Sequence, residues 1–305
     1  MNSGQKAFPF FSIIIPTYNR KERLLQAVLS VCRQEYYNYE IIVVDDGSSD
    51  GTGESMQQFE GNDKIKYYYK ENEERSIARN FGIARASGKY IGFLDSDDIM
   101  YSNHLSVAHA LLQRSNNPEV GHLGYEFVDE TGKSVLKRCS FDHTFSETII
   151  HENILHGNAI FIRKDIFEDL QFIPSKSAVL SEDWYLWLRL AARFEFVFDN
   201  TITCAVIQHK ERSLMNLLPD QVIAATNVLI DYLKRDEVFL NKYRGRVSYH
   251  FANHYTLLTL ILSLSKNYKR VVMTYLAKAI RCDPSVVLRR RFLATIKHLL
   301  IRKSE

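Results

Sequence analysis

Residues 90–98 read Tyr90-Ile91-Gly92-Phe93-Leu94-Asp95-Ser96-Asp97-Asp98, a short apolar run that breaks into three carboxylates. An apolar run of this length bounded by turn residues suits a strand buried on both faces, as in a parallel sheet covered by helices. Carboxylates at the mouth of such a strand add little to stability, but they suit a divalent cation. Two acids separated by one residue converge on one hard ion and leave positions open for water and phosphate oxygens. The pattern points to metal-assisted chemistry on a phosphate-bearing substrate. Read as a simple turn, the same acids only reverse the chain and cap the next helix.

Working outward, β-rich runs alternate with helical patterns through the first half of the chain, as in βαβ units. Phe11 to Pro16, Glu40 to Val44, Lys64 to Tyr69 and Lys89 to Leu94 are the strand candidates. Leu24, Leu25, Val28 and Cys32 recur at helical spacing after Asn19, a candidate N-cap, and Ile77, Ala78, Phe81 and Ala84 repeat the pattern before Ser87-Gly88. The expected fold is α/β, with a mostly parallel central sheet and flanking helices. In such sheets ligands bind beyond the carboxyl ends of the strands, so the loops after Pro16, Val44 and Leu94 should share one crevice. From Gly121 the pattern is mixed, with strand-like Asn158 to Ile162 and Thr201 to Ile207 around a helix from Ser181 to Phe194. Beyond Ser213 it turns helical: Val222, Thr226, Leu229, Ile230 and Leu233 share one face, and Asp283-Pro284 is a helix start. Residues 1–215 are expected to form the catalytic domain and 216–305 a helical C-terminal region.

The chain has 305 residues, 46% hydrophobic and 25% charged, with a formal net charge of +3. That balance fits a globular protein and gives no argument for a nucleic-acid partner. Cys32, Cys139, Cys204 and Cys282 are far apart with no CxxC pair, which suits a reducing, cytoplasmic setting. Residues 1–11 lack a signal-peptide pattern, and the apolar stretch Tyr255 to Leu262 is too short to span a bilayer.

Four further segments carry candidate chemistry. Asp45-Asp46-Gly47-Ser48 places acids where a ribose hydroxyl or a base N–H could donate, although an Asp-Gly turn needs no ligand. It is neither a dinucleotide fingerprint nor a Walker loop. Arg75 and Arg79, in Glu73 to Asn80 at the opening of a helix, could meet a phosphate, although exposed helix arginines are common. Ser181-Glu182-Asp183-Trp184 offers a carboxylate that could take a proton from an attacking hydroxyl, but it also reads as a capped helix start. Trp184 and Trp187 suit either core or an apolar wall for a sugar ring. His209 could add a metal ligand, and Lys210 or Arg212 could meet a diphosphate.

Taken together, five separated blocks closely resemble glycosyltransferase family 2. They are Ser12 to Arg20, Ile42 to Thr52, Ala78 to Ala84, Phe93 to Asp98, and Ser181 to Trp184, within residues 11–213. The resemblance implies a GT-A fold and inverting transfer from a nucleotide-diphosphate sugar, with Mn2+ or Mg2+. It implies Pro16, Thr17, Tyr18, Asp46, Arg79 and Asp95 at the nucleotide, Asp97 with Asp95 at the metal, and Asp183 as catalytic base. Glu182, Trp184, Gly157 and Asn158 are candidates for sugar contact. Members carry a Tyr-Arg-x-His block where this chain has Val206-Ile207-Gln208-His209, so the Tyr and Arg are absent.

By the same resemblance the donor is expected to be UDP-linked and the acceptor a glycan or lipid-linked glycan, in bacterial-type surface polysaccharide synthesis. The competing readings are a haloacid-dehalogenase-type phosphatase and a non-catalytic sugar-nucleotide-binding scaffold. The phosphatase class also sets DxD after a hydrophobic strand, but it places the motif near the amino terminus and follows it with Thr or Val, where Asp98 stands here. The last helix puts Leu288, Phe292, Ile296, Leu299 and Leu300 on one face and Arg290, Arg291, Lys297 and Arg302 elsewhere. That leaves three fates open for it: packing in the protein, pairing as a homodimer, or peripheral docking at the inner face of a membrane.

Overall fold

The computed structural model describes residues 10–142, 144–209, 218–265 and 267–301. The elements follow one another as β1 (Phe11–Thr17), α1 (Lys21–Cys32), β2 (Tyr39–Asp45), α2 (Thr52–Met56), β3 (Ile65–Tyr69), α3 (Arg75–Ile83) and β4 (Tyr90–Phe93). Next come β5 (Ile99–Met100), α4 (His104–Arg114), β6 (Val120–Val128), β7 (Ser134–Arg138), α5 (Phe145–Thr148), β8 (Ile160–Arg163), α6 (Glu182–Arg193) and β9 (Phe196–Ile207). The chain then continues as helices only: α7 (Pro219–Lys234), α8 (Glu237–Lys242), α9 (Val247–Ser263), α10 (Lys269–Cys282) and α11 (Arg290–Ile301).

One sheet runs in the order β3-β2-β1-β4-β8-β6-β9-β5, with β7 paired to β6. The half from β3 to β4 is parallel, as the alternating pattern requires. Beyond β4 the sheet is mixed: β8 pairs antiparallel with β4 and β6, β9 runs parallel to β6, and β5 is antiparallel to β9. Ile13, Ile14 and Ile15 of β1 and Ile41 to Val44 of β2 are fully buried, which explains strands that are apolar on both faces.

Helix α3 lies against β1 and β2 so closely that a Cβ on Gly82 would stand 2.6 Å from the Ile14 side chain. That approach sets its inward face as Ser76, Ala78, Arg79, Gly82 and Ile83, rotated from the Ile77/Phe81/Ala84 face expected from hydrophobicity alone. The rotation carries Arg79 into the interior.

Thr17, Asp45 and Tyr69 are in register, so the loops after β1, β2 and β3 leave one edge of the sheet together. Asn19 does not cap α1. It adopts a left-handed conformation (φ 49°), and its Oδ1 accepts from Ser49 N at 2.8 Å while its N–H donates to Ser48 Oγ at 2.8 Å. The side chain that could have capped a helix ties the first loop to the second. In α7 the inward residues Val222, Thr226, Leu229, Ile230 and Leu233 are the expected ones, joined by Ala225. No helix among the described residues is long and apolar enough to cross a membrane.

Candidate active site

Three loop ends meet at the carboxyl edge of the parallel strands, as expected. Asp46 N donates to Thr17 O at 2.9 Å, and Arg20 forms an ion pair with Asp97. Gly47 makes the turn after β2 with φ 90°, and a Cβ there would stand 2.9 Å from Asn72 N, so both conformation and space demand glycine. Asp46 is buried: its Oδ1 accepts from Lys70 Nζ at 2.7 Å and Glu73 N at 3.1 Å. Pro16 and Thr17 are the last two residues of β1, Thr17 is buried, and Tyr18 beyond them is 49% exposed.

Arg79 joins the two acidic segments. Its guanidinium donates to Asp95 Oδ1 at 2.8 Å and to Glu182 Oε1 at 3.0 Å, and it lies over the Phe172 ring. Burial opposes its charge, but Asp95, Glu182 and Asp183 outweigh that and raise its pKa. The planar fork suits this role, because it places a separate donor on each carboxylate. α3 and α6 are both preceded by a non-glycine residue at positive φ, Glu74 (77°) and Ser181 (60°). Such strain of roughly 1–3 kcal/mol per residue persists only where the surroundings impose it. Here it sets the first turns of these helices so that Arg75 and Arg79 face Glu182.

Asp183 follows Glu182 at the start of α6 and is partly buried. Its Oδ2 accepts from Asn153 Nδ2 at 3.3 Å, and its Oδ1 from Trp184 N at 2.7 Å. Burial first, then the neighbouring Glu182 charge, push its pKa from 3.8 up to about 6, while Arg79 and the two donors pull the other way. A carboxylate held near 6 is a competent proton acceptor at neutral pH.

Trp184 does not face an open sugar site. Its Nε1 donates to Ile149 O at 2.7 Å, and its ring packs on His250 and His254 of α9. Trp187 is fully buried core. Farther along α6, Arg193 donates to Asp236 at 2.8 Å, and Asp236 also caps α8. The helical region therefore holds the helix that carries Asp183 at both of its ends.

The acids after β4 fall into two groups. Asp97 Oδ2 lies 2.7 Å from His209 Nε2, and both side chains are buried. Asp95 belongs with Asp98 and His156, whose ligand atoms lie within 4.8 Å of one another. Asp98 is fully buried and accepts from Ile207 N at 2.8 Å and Asn158 Nδ2 at 2.7 Å. It thus fastens β9 to the acidic loop and does not cap α4, which begins six residues later. Asn158 also accepts from Asp95 N at 2.9 Å, so its amide is used inside the protein, whereas a Cβ on Gly157 would meet open space.

Asp97 and His209 form a second set of possible ligands, beside the Asp95, Asp98 and His156 group. Two donors 2.7 Å apart can bind one ion at about 2.1 Å each. Both Asp98 oxygens already accept hydrogen bonds, and Asp97 Oδ2 is likewise engaged, by Arg20 and His209. Lys210 and Arg212 lie outside the described residues.

The sequence of residues 12–171 matches the family model described as Glycosyl transferase family 2, over more than half of the chain. The chain belongs to glycosyl transferase family 2. The chain is 40% identical over 189 residues to an uncharacterized glycosyltransferase of Rickettsia conorii, a match that covers 60% of this chain and 30% of the relative. It is 28% identical over 205 residues to glycosyltransferase GlyG of Streptococcus pneumoniae, covering 62% of this chain and 68% of that one. The chain therefore matches only part of the length of these relatives.

Its fold is similar to that of S. aureus TarS 1–349 in complex with UDP (TM-score 0.71, 16% identity, 97% of this chain and 92% of that chain). It is also similar to the mannosyltransferase PcManGT from Pyrobaculum calidifontis in complex with GDP-Man and Mn2+ (TM-score 0.55, 16% identity, 96% and 88% covered). The expected GT-A-type fold and helical C-terminal region are both present, and membership sets aside the phosphatase alternative.

Several site residues were not singled out from the sequence. Lys70 and Asn153 carried no signal, since one follows a strand and the other sits in a polar stretch between short elements. Arg20 stood at the edge of a resembling block, and its pairing with Asp97 depends on two loops meeting.

Proposed function

We propose that this glycosyltransferase moves a sugar from a nucleoside-diphosphate sugar to a hydroxyl of a glycan or lipid-linked glycan by single displacement, with Asp183 as base. The observation that carries this reading is Arg79 spanning Asp95 and Glu182, which sets Asp183 beside the acidic loop after β4. Donor and base then belong to one crevice.

In this reading Pro16, Thr17, Tyr18 and Asp46 line the base and ribose, and Asp95 and Arg79 approach the diphosphate side. Asp97, Asp95 and His209 would hold a divalent cation, and such a cation would neutralise charge on the departing nucleoside diphosphate. An imidazole in the set weighs towards Mn2+ over Mg2+, the harder ion. Asp183 accepts the acceptor's hydroxyl proton as that oxygen attacks the anomeric carbon, and the carbon–oxygen bond to the diphosphate breaks. The configuration inverts, and no covalent enzyme intermediate forms. Asn153 and the Trp184 N–H orient the carboxylate. Residues 1–215 form the catalytic unit, and those from 216 onward buttress α6.

A uridine nucleotide is the first donor to test, supported by the family resemblance and the UDP complex of a neighbour in fold. Acceptor-independent release of nucleoside diphosphate is measured across UDP-, GDP-, CDP- and dTDP-sugars with and without Mn2+. Release from one donor class, lost in EDTA, is expected. No release from any donor removes the proposal.

A further inference from the structure

Helix α11 has two unlike faces. Thr295 is buried, and Phe292, Ile296 and Leu299 are partly buried against the core. Thr295 Oγ1 meets Thr259 Oγ1 at 3.5 Å, and His298 Nδ1 meets Ser263 Oγ at 3.0 Å, both on α9. The helix therefore already has its partner within the protein. On the other side, Arg290, Leu293, Lys297 and Leu300 fall within about 80° of arc at 3.6 residues per turn. Leu293 is 55% and Leu300 62% exposed, and Leu288, just before the helix, is 80% exposed. Arg290, Arg291 and Lys297 are exposed as well.

Single exposed leucines need no explanation. Here, however, leucine and cation alternate along one stripe, and α11 contains no acid at all. The nearest acid upstream, Asp283, is taken by Arg289. Arg290, Arg291 and Lys297 form no ion pair with any described residue. A second copy meeting this face about a two-fold axis would set the same cations against each other, which disfavours self-association. An anionic surface that accepts short apolar side chains complements both features.

We propose that the outer face of α11 docks on an anionic membrane surface. Leu288, Leu293 and Leu300 enter the headgroup boundary, and Arg290 and Lys297 meet acidic headgroups. The docking is peripheral and reversible, and it is independent of the reading of the donor site.

The test is partition of the full chain onto vesicles of phosphatidylcholine, alone or with 30% phosphatidylglycerol, followed by flotation. Binding only to the anionic vesicles is expected, weakened by raising salt from about 0.1 to 1 M. A cation near such a surface contributes about five-fold, so the double variant R290E/K297E should bind at least about 25-fold more weakly. L293S/L300S should lose roughly ten-fold. V135S/L136S, which alters comparably exposed apolar residues on β7 (64% and 46%), should bind like wild type. Melting temperatures of all variants are measured alongside to show that they remain folded.

No preference for anionic vesicles, or binding unchanged in R290E/K297E, overturns the proposal. So does a dimer in sedimentation equilibrium that L293S/L300S dissociates, since the occupant of the face is then a second copy.

Discussion

Asp183→Asn is expected to lower turnover while making the protein more stable, and the size of the gain follows from the site. A rise in pKa from 3.8 to about 6 corresponds to about 3 kcal/mol against the ionised carboxylate, at 1.36 kcal/mol per pH unit. The sign follows from proton binding. Between those two values the folded protein holds a proton that the unfolded chain has released, so stability falls as pH rises through about 6. Above that pH the ionised Asp183 is a net burden on the fold. Asparagine removes the charge but leaves one of the two donors, Asn153 Nδ2 or Trp184 N, facing an amide NH2, which costs about 1 kcal/mol. The remaining gain is about 2 kcal/mol at pH 8, or several degrees in melting temperature, and it vanishes near pH 4. Donor binding, followed by calorimetry, should persist, while nucleoside diphosphate release should drop 10²- to 10⁴-fold. A variant no more stable than wild type at pH 8, with the same difference at pH 4, refutes the electrostatic argument. Near-normal release removes Asp183 from the base role.

Four other substitutions follow from the same geometry. Asn153→Ala removes a donor that favours the ionised base, so the acid limb of the pH–rate profile should move upward from about 6. Asp97→Asn and His209→Gln should each weaken Mn2+ binding about 100-fold or more in an EPR titration. Asp98→Asn should leave Mn2+ affinity within a few-fold of wild type and cost about 1–3 kcal/mol in urea unfolding, because it sets an amide NH2 against Ile207 N or Asn158 Nδ2. Arg79→Ala leaves Asp95 and Glu182 without their shared partner and should cost about 3–5 kcal/mol; lysine should recover only part, since it lacks the fork.

The parallel half of the fold was legible because its strands are apolar on both faces and end in turn residues. From Phe11 to Phe93 the expected strands lie within a residue or two of the observed ones. The mixed half was harder to read. Asp199-Asn200 looks like a turn but lies inside β9, opposite a register shift at Leu123/Gly124, where a Cβ on Gly124 would come within 2.7 Å of Asn200 O. A strand therefore passes through residues that ordinarily end one.

In the site, a carboxylate's position at a strand end could be expected, but its partner could not. Arg79 looked like an exposed helix residue because the packing of Gly82 on Ile14, which turns it inward, is a tertiary event. Asp98 looked like a cap because its acceptors' partners, Ile207 and Asn158, are far away in sequence. His209 had lost the residues that usually accompany it, and only folding sets it on Asp97. Trp184 reads equally as core or sugar wall until α9 is seen to cover it.

The central claim is a single displacement assisted by Asp183. It is tested most directly by following the reaction of the accepted donor with Mn2+ by 1H NMR during the first minutes, before the released or transferred sugar can equilibrate. A product whose anomeric configuration is opposite to that of the donor is predicted. A first-formed product that retains the donor's configuration contradicts the account, since it requires a second displacement and a covalent or ion-paired intermediate that Asp183 as a base does not supply.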